Sequence, residues 1–328
     1  MLLQRHRPRA AGSAAAGTDV FRIGDQTLDR ATNGLPAAAY FAQKAVSPLL
    51  ELGAYEWLWL NQVDSLGDYS NLVRQQSGLM PSDFAAEAAA RDTARDALTR
   101  LAKSGAGNFG LRIQGTSEYP TGLRDAAEQP GMLWYQGWWD LVNSPRTVSV
   151  VGTREITDKG IRRTRKLVKL LVHHNCVVFS GLARGVNAVA HQAAIDLGGA
   201  TVGVAATPIS DFDPKADWRL QRRIATDYLL ISHVPVLRYQ KQEARLQRGF
   251  FAERSRTMSA LVNATIIVEA GEISGTIIQA QAALDQGRKL FILNGCFDKP
   301  GLTWPAKMEA LGAIRVREYE QILDAVCV

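Results

Sequence analysis

The chain has 328 residues, 46% hydrophobic and 21% charged, a globular composition that excludes wholesale disorder and fits one large domain or two. Its 38 Lys and Arg against 32 Asp and Glu leave a net charge of +6. Three scattered cysteines (Cys176, Cys296 and Cys327) exclude a disulfide framework and a CxxC metal pair, and the lack of any run of 18 apolar residues excludes a helical membrane span.

Residues 1–36 are rich in Ala, Gly and Thr with weak periodicity and are expected to be a flexible tail. Their Arg- and Ala-rich start lacks the apolar stretch of a secretory signal. Cys176 and Cys296 lie in apolar runs as buried free thiols, so a reducing, cytoplasmic setting is expected. Residues 37–104 are expected to form a small α-helical N-terminal domain, with helical spacing over 37–62, broken near Pro48, and over Asp83–Lys103. Trp57 and Trp59 offer either a binding surface or core packing, and packing is the expected role.

From Arg146 the pattern changes. Short β-branched runs at 147–152, 176–181, 200–206, 228–232, 265–270, 289–293 and 313–316 alternate with helical stretches at about 158–174, 185–197, 218–226, 253–262, 276–286 and 304–311, and a helix from Glu318 closes the chain. Strands without polar alternation are covered on both faces. The expected fold class is α/β: a doubly wound, mostly parallel sheet of the extended Rossmann-like kind, over residues 105–328. In such a sheet ligands sit beyond the carboxyl ends of the strands.

Those strand ends carry the candidate site. The first is followed by Gly152, Thr153 and Arg154, and the second by Ser180, Gly181, Arg184, Gly185 and Asn187 opening a helix. Ser274, Gly275 and Thr276 open another, and Arg254 and Arg256 sit at the start of the helix between. Glycines let backbone N–H groups approach an anion, a helix start adds positive dipole, and guanidinium grips phosphate with two prongs. From Lys215 to Arg256 ten Lys and Arg face four Asp and Glu, a local excess equal to that of the whole chain. Such a stretch suits a polyanion, or is a solvated basic face. No GxGxxG follows the first strand and GxxxxGK[ST] is absent, so dinucleotide and ATP binding lack their usual signatures and no cofactor is expected. The five histidines show no metal spacing, and Ser180 is not in a GxSxG setting. Glu269 is either a general base or a carboxylate hydrogen-bonded to neighbouring loops.

The ordered set of motifs resembles the DNA-processing protein A family (DprA, also called Smf). SVVGTR (149–154) is similar to its VAIVGSR, SGLARGVNAVAH (180–191) to its SGLARGIDAAAH, and Gly198–Val202 to its GGxTI. Residues 213–220, 230–235 and 253–256 stand where it has YPxENxxL, LISExP and xRNR. Residues 269–288 follow its EAxxxSGSLITAxxAxxxGR, and Tyr119–Gly137 its YPxxLxxxxDPPxxLYxxG. Departures are Asn187 for an Asp, Ser255 for an Asn, His233 for an acid and Asp213 for a Tyr. The resemblance implies single-stranded DNA binding in a positive pocket lined by the residues named above with Lys215, as well as a homodimer and contact with a RecA-type recombinase. Two functions are therefore carried forward. One is a non-catalytic single-stranded-DNA-binding protein in recombination, with optional base stacking on Trp218, Phe250 or Phe251. The other is a nucleotide-processing enzyme or nucleotide sensor of related fold. Phosphoribohydrolases of that fold carry PGGxGTxxE, and Glu269–Thr276 lacks its double glycine, which favours binding over cleavage.

Overall fold

A computed structural model describes residues 46–75, 80–211, 217–243 and 247–326. The expected tail, Lys215, Asp213 and Cys327 lie outside them. In chain order the first helices are α1 (Pro48–Asn61), α2 (Leu66–Gln75) and α3 (Glu87–Lys103). Pro48 begins α1, where its fixed φ suits a first turn. Next come β1 (Gly110–Ile113), α4 (Thr121–Arg124), β2 (Met132–Gly137) and β3 (Thr147–Val151). The alternating part follows with α5 (Asp158–His173), β4 (Val177–Gly181), α6 (Val186–Asp196), β5 (Thr201–Ala205), α7 (Trp218–Asp227) and β6 (Leu229–Ser232). It continues through α8 (Val236–Lys241), α9 (Gly249–Ala260), β7 (Ala264–Ile267), α10 (Gly275–Asp285) and β8 (Lys289–Leu293), and closes with α11 (Trp304–Ala310), β9 (Ile314–Val316) and α12 (Glu320–Val326).

The described strands form one nine-stranded sheet in the order β1-β2-β6-β5-β4-β3-β7-β8-β9. From β6 across to β9 every pairing is parallel, while β2 runs antiparallel to both β1 and β6. The mixed α/β architecture is the expected doubly wound one, with β3 in the middle of its seven parallel strands. Successive residues of β3 and β4 feed opposite cores. Val148, Val150 and Val178 pack with Leu167, Val168 and Leu171 of α5 and Ala190 and Ala194 of α6. Val177 and Phe179 belong to the other core, with Met258 of α9 and Ala280 and Ala283 of α10. Both layers exclude water from the sheet, which is why its strands read as unbroken apolar runs.

Residues Ser47–Val328 group as one unit. Aromatic rings hold the N-terminal helices to the sheet. Tyr55 lies 5.1 Å from Tyr69 and 5.6 Å from Trp134 of β2, and Trp59 lies 5.7 Å from Phe250 of α9. Trp59 is fully buried, so it packs the core and offers no binding surface. Cys176 and Cys296 are both buried, and no helix among the described residues is long and apolar enough to cross a membrane.

A buried carboxylate ties α1 to α8. Glu56 accepts hydrogen bonds from the backbone N–H of Val236 at 2.6 Å and of Leu237 at 2.9 Å. Burial pushes its carboxyl up to about 7, against the pull of those two donors. A folded-state value above the unfolded one means that the folded protein holds the proton more tightly. The stability linked to Glu56 is therefore present below pH 4.5 and lost as pH rises through about 7. Urea melts of wild type and Glu56→Gln are expected to diverge over that window. The wild type should lose up to about 3 kcal/mol more than the variant between acid and neutral pH. Parallel pH profiles would show that Glu56 ionises alike in both states.

Candidate nucleic-acid interface

At the carboxyl ends of β3, β4 and β5 the loops close around a hollow of about 150 Å³. Arg154 follows β3, Leu182 and Arg184 follow β4, Thr207 follows β5, and Phe251 and Arg254 come from α9. Two glycines bring these pieces together. Gly185 caps the start of α6 at φ +83°, and a Cβ there would sit 2.2 Å from the carbonyl oxygen of Thr153 and 2.7 Å from that of Arg154. Only a residue without a side chain lets the loops after β3 and β4 touch in this way. They are joined by the Val186 N–H, which donates to Thr153 O at 3.1 Å. At Gly181 the Arg254 guanidinium nearly fills the space of the missing side chain, its Nη1 only 1.7 Å from an ideal Cβ position, with Asn187 Nδ2 at 2.9 Å.

The charge in the hollow is uncompensated. Arg154 and Arg184 are exposed and Arg254 is half-buried. The Arg154 guanidinium lies 5.6 Å from the centre of the Phe251 ring. Burial, aided by the charge of Arg154, pushes Arg254 down to about 10, so it stays protonated at neutral pH. No carboxylate is among the residues lining the hollow. Arg254 Nε and Asn187 Oδ1 are buried without a hydrogen-bond partner among the described residues. Three cations with an unpaired Arg254 N–H among them fit an anion with several oxygens, while Asn187 Oδ1 can only accept.

Several residues expected at the site take other roles. Ser180 is fully buried and its hydroxyl donates to Val150 O at 2.6 Å, a backbone contact inside the sheet. Gly152 packs against Val186 and the carbonyl of Glu269, and Thr153 N–H donates to that carbonyl at 2.7 Å. Arg256 leaves the rim: its Nη1 pairs with Glu128 Oε2 at 3.1 Å. Ser274, Gly275 and Thr276 do not line the hollow, and Ser274 Oγ instead caps α10 by accepting from Thr276 N–H at 3.2 Å. The Glu269 carboxylate accepts from the hydroxyl and N–H of Thr157 at 3.0 and 3.3 Å, tying the loops after β7 and β3 together. His191 is buried between Gly181 O at 3.0 Å and Thr201 Oγ1 at 2.7 Å, and burial pushes it down to about 4. A neutral ring there props up the end of β4.

Of the aromatics, Phe250 is core, Phe251 lines the hollow and Trp218 is 41% exposed. Thr207 was not anticipated, although it follows β5 by the same strand-end rule that located Arg154. Two departures from the family motifs also have places here. Asn187 sits beside Arg254 at Gly181, and buried His233 lies 3.5 Å from Glu253.

The chain is thus an α/β protein of the extended Rossmann-like kind with three guanidinium groups gathered at the carboxyl rim of its sheet. Within that class, the chain belongs to the DNA recombination-mediator protein A family, whose model matches residues 111–327. The DNA processing protein DprA of Bacillus subtilis is 31% identical over 209 residues, 64% of this chain and 68% of that protein. DprA of Streptococcus pneumoniae is 36% identical over 177 residues, a match spanning 60% of its length. Its X-ray structure superposes with a TM-score of 0.61 at 27% identity, covering 85% of this chain and 93% of that one. The fold is shared with DprA of Helicobacter pylori, whose structure is described for its single-stranded DNA binding mode. There the TM-score is 0.56 at 21% identity, over 67% of this chain and 96% of that one.

Proposed function

We propose that this protein binds single-stranded DNA by its phosphates at the carboxyl rim and holds the strand without altering it. Acting as a homodimer, it presents that strand to a RecA-type recombinase. The observation that carries the binding reading is the grouping of Arg154, Arg184 and Arg254 around a hollow lined by no carboxylate. Engagement of Glu269 by Thr157 speaks against a base at the rim and so for binding without turnover. The recombinase and the homodimer rest on the family's role in recombination. An anisotropy titration of labelled oligothymidylate, with duplex DNA and mononucleotides as competitors, tests the binding. Run at about 50 and 200 mM salt, it should show tight, steeply salt-dependent binding of the single strand and weak competition by mononucleotides. Preference for a mononucleotide, or base release from it that Glu269→Gln abolishes, would establish the nucleotide-processing reading instead.

A further inference from the structure

The most basic helix among the described residues lies outside the hollow. α5 carries Lys159, Arg162, Arg163, Arg165, Lys166 and Lys169 against a single acid, Asp158. All six are exposed except Arg163, which is half-buried. None of them takes part in an ion pair among the described residues. The spacing sets like charges against each other at i and i+4, as in Lys159 and Arg163, Arg162 and Lys166, and Arg165 and Lys169, which disfavours a helix in water. The solvated helix α3 does the opposite, pairing Arg91 with Glu87 and Arg95 with Asp92. A helix that keeps its repulsion uncompensated is shaped for an external polyanion.

Its position says which one. α5 begins four residues after Arg154 and returns from the carboxyl rim along the flank of the sheet, so its cations start beside the hollow and continue for about 15 Å from Lys159 to Lys169. At the far end, a groove of about 560 Å³ runs between Lys166, Lys169 and His173 on one side and Leu197 and Tyr319 on the other. Its floor is apolar, with Leu197 43% exposed, and Lys166 Nζ lies 5.3 Å from the centre of the Tyr319 ring. One carboxylate, Glu320, stands at its edge. Cations along one wall with an apolar, partly aromatic floor match a single strand whose phosphates follow the wall and whose bases leave water.

We propose that α5 is a second track for single-stranded DNA, carrying onward a strand that is gripped at the rim; this rests on the DNA-binding reading above. The test compares oligothymidylates of about six and about thirty nucleotides, lengths that fill the rim alone or also reach α5. The variant combines Arg162→Gln, Lys166→Gln and Lys169→Gln, all at the surface, with circular dichroism confirming the fold. Affinity for the long strand is expected to fall at least tenfold, and its log–log salt slope by about two, with the short strand unchanged. Arg254→Ala should weaken both lengths. A long strand bound as tightly by the variant as by wild type overturns the track, leaving the rim reading intact and α5 to an acidic protein surface. Equal losses for both lengths overturn it too, and wild type that binds neither length removes both readings.

Discussion

Arg254→Ala is expected to weaken single-stranded DNA binding by one to two orders of magnitude, the loss of about 1.5–3 kcal/mol that follows removal of a charged hydrogen-bonding partner. Of the three rim arginines, only Arg254 is half-buried and held in place before any ligand arrives. Its guanidinium rests on Gly181 and its Nε has no partner among the described residues. A pre-positioned donor loses little side-chain entropy on binding. Because Arg254 is desolvated and repelled by Arg154, its removal should leave the melting temperature unchanged or higher. Equilibrium titration and a thermal melt on one preparation separate the two effects. Undiminished affinity with the fold intact would remove Arg254 from the interface.

The second large effect is expected at Gly185. Alanine there meets a positive φ and a backbone oxygen only 2.2 Å from its Cβ, neither of which a flexible side chain can relieve. A side chain at this φ of +83° and ψ of −133°, backbone that glycine alone adopts readily, costs about 1–3 kcal/mol, and parting the loops adds to it. The Val186-to-Thr153 hydrogen bond should break, and Arg154 and Arg184, on either side of that contact, should separate. Gly185→Ala is thus expected to lower stability in urea and weaken DNA binding together. Arg254→Ala is expected to affect binding alone. Full stability and full affinity in Gly185→Ala would mean that the loop contact does not organise the rim.

The parallel core was legible because its strands are buried on both faces. Each run from β3 to β9 lies within two or three residues of its position in the structure. β1, β2, α2, α4 and α8 were not read as elements. In β2 burial fades along the strand, and the aromatic residues that make it a docking edge, Trp134 and Tyr135, are ambiguous between helix and strand. α4 and α8, with four and six residues, are too short to show a period, whereas the ten residues of α2 carry an amphipathic spacing that went unread. At the site, the strand-end rule located Arg154, Arg184 and the loop glycines. Arg256 was grouped with Arg254 by nearness in sequence, yet residues two apart on a helix point about 200° apart. That geometry alone sends one arginine to the rim and the other to Glu128. Ser274 to Thr276 show where sequence cannot decide: a serine at a helix start serves an anion or its own N-cap equally well, and here it is the cap.

A crystal structure with a short bound oligothymidylate tests the central claim most directly. The account expects backbone phosphates within hydrogen-bonding distance of Arg154, Arg184 and Arg254 at the carboxyl ends of β3, β4 and β5. A strand seated elsewhere, with those three guanidinium groups touching no phosphate, would contradict it.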